Sequence, residues 1–294
     1  MTTKAILTIV FTFLFFSFLS AQDEDKRSPE AGQAYNSGNN LAKSQKYSDA
    51  IQKYLEAIKA DDNFPKANYM LGYCYQKTNQ LTKAEDAFKN AIRLDSKFEL
   101  AYIALGNLQV DMEKKTDAIN TFNAVLAFNP TSAKANYGLG KVYYDQKKFD
   151  QAEKYLSEAV KADPEYEYAH NYLGLTYSAE KNYSKAAAAF KRAVETVSPK
   201  QVQLKGNYLY RLGEAHVMAG EYKEGEQALL DALKISRKDN IKAACNFYLG
   251  EVYKKQGQTQ KAIRYYTEAS QNRSWKQSAD YEIDLLKNPD KYSY

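Results

Sequence analysis

Only two cysteines, Cys74 and Cys245, and two histidines, His170 and His216, occur in the 294 residues of this chain. So small a supply excludes a disulfide framework and a clustered Cys/His metal site. Cys74 and Cys245 leave two readings open: one bridge in an oxidising compartment, or two separately buried thiols. Neither histidine stands in an H-E-x-x-H pattern, and no C-x-x-C or G-x-S-x-G occurs. Six prolines and 13 glycines are too few for a collagen-like or a Gly/Pro-rich disordered chain, and suit a helical one. Charge of one sign is also lacking. The 41 basic and 36 acidic residues leave a net +5, interleaved along the chain, which does not point to nucleic acid.

Long apolar runs are absent after residue 19. The one run is N-terminal: Lys4 gives a positive start, Ala5 to Leu19 are largely apolar, and Leu19-Ser20-Ala21 supplies small residues before Gln22. This is the pattern of a secretory signal peptide over residues 1–21, cut at Ala21–Gln22. At about 15 residues the run falls short of the ~20 that a membrane-spanning helix needs, so a retained anchor is the lesser reading. Cleavage leaves a net charge of +4 and no membrane span, and it places the protein in the periplasm or outside the cell. Residues 22–30 are charged and poor in apolar side chains, which predicts a disordered linker.

The rest of the chain is periodic. Gly38, Gly72, Gly106, Gly140 and Gly174 recur every 34 residues, and Gly213 and Gly250 follow at 39 and 37. Twelve residues after each comes Ala50, Ala84, Ala118, Ala152, Ala186, Gly225 or Ala262. Four further on stands a bulky residue: Tyr54, Phe88, Phe122, Leu156, Phe190, Leu229 or Tyr266. Leu71, Gly72 and Tyr75 share one stripe of a helix; Ala84, Phe88 and Ala91 share a stripe of a second. Polar stretches such as Lys77-Thr78-Asn79-Gln80 separate them, so the unit is a helical hairpin. A helical glycine costs about 1 kcal/mol relative to alanine, so seven in register imply that the two helices approach closely there. The bulky residue is expected to pack into the neighbouring hairpin, and Tyr75, Tyr143, Tyr177 and Tyr253 are expected in the core. Five extra residues near Ser198 to Lys205 predict a longer loop or helix end, and three more fall near Ser236 to Lys242. Trp275, Ala279, Ile283 and Leu286 form a last stripe, stopped by Pro289, which reads as a cap helix over an otherwise exposed apolar face.

This pattern resembles the tetratricopeptide repeat family, whose period is ~34 residues. The resemblance covers roughly Ala31 to Asn272. It departs from the motif at Ala34, Asn68, Asn136 and His170, where an early aromatic is usual and only Tyr102 keeps it, and at Gln109, where tyrosine is usual. It implies an all-α, right-handed superhelical solenoid of about seven antiparallel hairpins, spanning residues 31–272 and starting near 31, 65, 99, 133, 167, 206 and 243. A cap helix and tail would fill 273–294. In that family the first helices line a groove that binds proteins or peptides. Carried over position by position, the groove would hold Tyr35, Asn39, Lys66, Tyr69, Tyr73, Ile103, Asn107, Tyr137, Lys141, Tyr144, Asn171, Tyr210 and Phe247. Tyrosine offers a broad apolar face with a hydroxyl, as interaction hot spots favour; the competing reading is that these rings only cover seams between repeats. The clamp that some members use for acidic chaperone tails is absent from this register, since Tyr35, Met70, Leu100 and Ala104 replace its residues and only Asn39 matches.

Other chemistry is not visible. Gly138-Leu139-Gly140-Lys141 fails as a phosphate loop because Ala135 and Val142 stand where glycine and Ser/Thr are required. No catalytic set, metal site or cofactor site emerges. The expected function is a non-enzymatic scaffold for a protein or peptide partner, in assembly of an envelope or secretion complex. The alternative is a carbohydrate- or cell-wall-binding envelope module.

Overall fold

A computed structural model describes residues 28–292. The expected signal peptide, its cut at Ala21–Gln22, and residues 22–27 of the linker lie outside the described residues. Among those described there are fifteen α-helices and no strand. They form two compact units divided after Phe128. In the first, three hairpins follow in order: α1 (Pro29–Lys43) with α2 (Tyr47–Ala60), α3 (Pro65–Lys77) with α4 (Leu81–Leu94), and α5 (Glu99–Asp111) with α6 (Lys115–Phe128). In the second there are four: α7 (Ala133–Asp145) with α8 (Phe149–Ala162), α9 (Glu167–Ala179) with α10 (Tyr183–Thr196), α11 (Val202–Met218) with α12 (Tyr222–Ile235), and α13 (Asp239–Lys255) with α14 (Thr259–Ser270). Helix α15 (Lys276–Lys287) closes the second unit. Each unit is a helical solenoid.

Helix α1 starts at Pro29, inside the segment expected to be linker. Ser28 accepts from the Ala31 N–H at 3.1 Å, Pro29 fills the first helical position and Glu30 sits in the first turn. A side-chain cap, a proline that needs no N–H partner and an acid at the positive end of the helix dipole extend the helix past its first apolar residue.

Within hairpins the first helix ends on a left-handed residue: Gln45, Asn79, Glu113, Lys147 and Lys181 have φ of 58° to 61°, and Gly220 and Gly257 have 82° and 72°. The following N–H closes the turn, as Gln80 does on the Tyr75 carbonyl at 2.8 Å and Lys148 on that of Tyr143 at 2.9 Å. This closure satisfies carbonyls that the helix end would leave open. Between hairpins, Asp61, Asp95 and Asp163 accept the backbone N–H two residues on, from Asn63, Lys97 and Glu165 at 3.0, 2.9 and 3.1 Å. The acidic residues at hairpin ends are thus turn-formers.

The glycine series has a specific cause. A Cβ on Gly72 would lie 2.7 Å from Phe88 Cδ1; on Gly106, 2.5 Å from Phe122 Cε1; on Gly140, 2.5 Å from Leu156 Cγ; on Gly174, 2.6 Å from Phe190 Cδ1. The bulky residue therefore lies over the glycine of its own hairpin, sixteen residues earlier, in addition to packing into the neighbouring hairpin as expected. Phe88 clusters with Leu105 and Leu108 of α5, and Leu156 with Leu173 of α9. Gln109, at the position where tyrosine is usual, is buried and its Oε1 accepts from the Thr121 hydroxyl at 2.7 Å, so the hairpin of α5 and α6 replaces an apolar contact by a satisfied polar one.

The inserted residues add helix, not loop. Helices α11 and α13 have 17 residues, against 13 for α3, α5, α7 and α9. The added turn of α11 is tied down by Gln203, whose amide donates to the Ile235 carbonyl at 3.0 Å and whose oxygen accepts from the Arg237 N–H at 2.8 Å. Helix α15 is the expected cap: Ala279 is fully buried, with Trp275, Ile283 and Leu286 packed on the same cluster.

Cys74 and Cys245 are both free and buried, which settles the earlier alternative in favour of separate thiols. Burial pushes their pKa values up to about 11 and about 12, so both stay protonated and unreactive at neutral pH.

Candidate protein-binding face

The first helices of successive hairpins touch one another within each unit, and their facing side chains are aromatic. In the first unit Tyr35 lies between Tyr54, at 5.8 Å, and Phe64, at 4.8 Å between ring centroids. Tyr69 lies between Phe88 at 5.9 Å and Phe98 at 5.4 Å. Tyr73 stands edge-on to Tyr47 at 6.2 Å. Asn39 accepts from the buried Tyr54 hydroxyl at 2.7 Å. Lys66 and Asn107 are exposed, and Ile103 is half-buried. The structure brings together Asn39, Tyr69 and Tyr73 around one cavity; it gives Lys66, Ile103 and Asn107 no share in it.

In the second unit Tyr137 is the centre of a ring cluster, with Tyr166 at 5.1 Å, Tyr172 at 5.6 Å and Tyr168 at 6.4 Å. Tyr144 joins it through Tyr172 at 5.7 Å, while Lys141 is half-buried beside it on α7. Tyr168 keeps 37% of its surface exposed, so the cluster opens to solvent. Asn171 is buried and its oxygen accepts from Arg211. Tyr210 faces Tyr248 at 6.3 Å, and Tyr248 donates to Glu214 at 2.5 Å. Phe247 is taken up by the cap: its ring meets Trp275 at 4.9 Å and Tyr266 at 5.5 Å. Tyr35, Tyr69, Tyr73, Tyr137, Tyr144 and Phe247 are all half-buried, so each combines ring contacts at a seam with some accessible surface.

Burial raises the hydroxyl pKa values of Tyr69, Tyr137 and Tyr210 above the usual tyrosine range, and that of Tyr166 to about 12. These phenols stay neutral at any physiological pH, and a neutral phenol both donates and accepts hydrogen bonds.

The tyrosines expected in the core behave differently. Tyr253 is buried, but Tyr75, Tyr143 and Tyr177 are half-buried. Their position faces the start of the second helix, where Lys83, Lys148 and Lys185 sit 5.0 to 5.9 Å from the ring centroids, as Lys261 does at 4.0 Å from Tyr253. The Tyr177 hydroxyl donates to Glu153 at 2.9 Å. Polar tips at these positions keep one edge in water.

Several residues of the face carry no mark in the motif positions used to find it. Met70, Tyr172, Arg211 and Tyr248 each stand one residue after a named groove position. One step along a helix turns about 100°, so both residues border the same groove. Phe64, Phe98 and Tyr166 precede the first helices at the 34-residue period, and each stacks on the tyrosine 29 residues before it. That series is legible as a repeat but lies outside the helices.

Among the described residues, no three His, Cys, Asp or Glu side chains stand together as metal ligands would. His170 Nε2 lies 2.9 Å from the Pro164 carbonyl, and His216 pairs with Glu221. No described helix is long and apolar enough to cross a membrane.

The sequence matches the tetratricopeptide repeat over residues 38–79, 65–98, 103–167, 138–201 and 205–274. No protein of curated function matches it. Solved structures of the same fold include the C-terminal part of a TPR repeat-containing protein from Cytophaga hutchinsonii, at 15% identity over 85% of this chain and 99% of that one, with a TM-score of 0.64. A tetratricopeptide repeat protein from Parabacteroides merdae matches at 14% identity over 88% and 99%, with a TM-score of 0.57. PilW, a type IV pilus biogenesis factor, matches at 19% identity over 70% and 94%, with a TM-score of 0.59.

Proposed function

The chain belongs to the tetratricopeptide repeat family, and on that premise we propose that it is a non-enzymatic scaffold that holds a segment of another protein on the face built by its first helices. The observation that carries this reading is the partly exposed aromatic side chains on the first helices of each unit, taken separately, around Tyr69 and Tyr73 in one and around Tyr137 and Tyr168 in the other. Their contacts to neighbouring rings fix their rotamers in advance. These side chains then lose little further entropy when a partner binds, and pre-organised aromatic anchors are what interfaces use as hot spots.

The proposed setting is the periplasm or the exterior of the cell, in assembly of an envelope or secretion complex. The N-terminal apolar segment supports export. The solved structure of PilW, a pilus biogenesis factor, is a precedent for assembly work on this fold.

The test is capture by cross-linking in the native cell, followed by mass spectrometry. Tyr69→Ala combined with Tyr137→Ala should reduce the captured partner at least tenfold while leaving the helical circular dichroism unchanged. Equal capture by both proteins would end the reading.

A further inference from the structure

We propose that the cavity between α1 and α3 seats a bulky apolar side chain of the partner, within an internal segment whose neighbouring residues are acidic. This deepens the scaffold reading and rests on it. The cavity has a volume of about 340 Å³ and is lined by Asn39, Ala42 and Lys43 from α1 and by Tyr69, Met70 and Tyr73 from α3. Four of the six lining residues are apolar or aromatic. A space of that size, at the lower end of the ~300–1000 Å³ typical of ligand pockets, fits one large side chain better than an extended chain. Met70 adapts its shape to what enters, because its unbranched thioether side chain turns easily.

Charge decides what flanks that side chain. No lining residue is acidic. Lys43 and Lys77 are exposed, and among the described residues neither pairs with a carboxylate. Lys77 sits 5.3 Å from the centroid of the Tyr73 ring, which places its charge at the cavity's edge. Asn39 uses its oxygen on the Tyr54 hydroxyl, and its amide nitrogen has no hydrogen bond among the described residues, so a donor remains for a carbonyl or carboxylate. The apolar side chain supplies most of the affinity and the lysines supply selectivity and faster association.

The experiment uses the full chain and three fluorescent, C-terminally amidated peptides: Gly-Glu-Asp-Phe-Glu-Asp-Gly, the same with Ala for Phe, and Gly-Lys-Ser-Phe-Lys-Ser-Gly. Amidation removes the terminal carboxylate, so only side-chain acids can act. The acidic Phe peptide should bind, the Ala peptide should bind at least tenfold more weakly, and the lysine peptide should not bind. Lys43→Glu with Lys77→Glu should weaken the acidic peptide at least tenfold and admit the lysine peptide. Both positions are exposed, so the variant keeps the fold. Failure of the acidic peptide to bind, or binding unchanged by the variant, overturns the proposal. If in that case partner capture still depends on Tyr69 and Tyr137, the scaffold reading stands without it; if capture does not, both fall.

Discussion

Phe88→Ala should destabilise the first unit by about 3–5 kcal/mol. Phe88 is fully buried, covers Gly72 of its own hairpin and clusters with Leu105 and Leu108 of the next. Removing the ring therefore opens a cavity at a joint between two hairpins, where neither backbone can collapse freely. In a repeat protein each unit is held by its own packing and by its interface with the next, and Phe88 contributes to both. Urea denaturation followed by circular dichroism checks this. The expected result is a lower midpoint, with a first transition separating from the main one. A loss below about 1 kcal/mol would show that the seam carries little of the stability.

Gly106→Ala should cost about 1–3 kcal/mol, against the helix propensity of the two residues. The added methyl would sit 2.5 Å from Phe122 Cε1 and 2.7 Å from Cζ, and Phe122 is fully buried, so its ring must displace packed neighbours to move away. Gly32 is the internal control. It lies in α1 with nothing within 4 Å of an added Cβ. Gly32→Ala should stabilise the protein by up to about 1 kcal/mol. The two substitutions are chemically the same, so opposite signs in thermal unfolding isolate the contact. Two shifts of the same sign would remove the explanation for the repeated glycine.

Most of the fold was legible because the repeat fixes which residues share a stripe. The Gly and Ala series alone locate seven hairpins, and Trp275, Ala279, Ile283 and Leu286 locate the cap. What a stripe does not show is the helix it meets. That is why Phe88 and its equivalents were assigned to the next hairpin when they cover their own glycine as well. The extra residues before Gly213 and Gly250 became helix because they lengthen α11 and α13 backwards by a turn, which a spacing count cannot distinguish from a loop. The linker was read too far, because a cap such as Ser28-Pro29 starts a helix without any apolar residue.

The site was legible only in part. Motif positions found Asn39, Tyr69 and Tyr73, which meet at one cavity, and Tyr137 with Tyr144, which share a cluster. They could not show that Phe247 is covered by Trp275 or that Asn171 is held by Arg211, since both depend on residues 28 and 40 positions away. Phe64, Phe98 and Tyr166 were missed because a helical period does not apply in the loops between hairpins.

The partner is expected to lie on the first helices. Photo-cross-linking in the native cell tests this directly, with a benzophenone side chain placed at Tyr73 or Tyr168 on that face, or at Lys89 or Lys191 on the second helices. A cross-linked partner is expected from Tyr73 and Tyr168 and none from Lys89 and Lys191. A partner trapped from the second helices alone would contradict this.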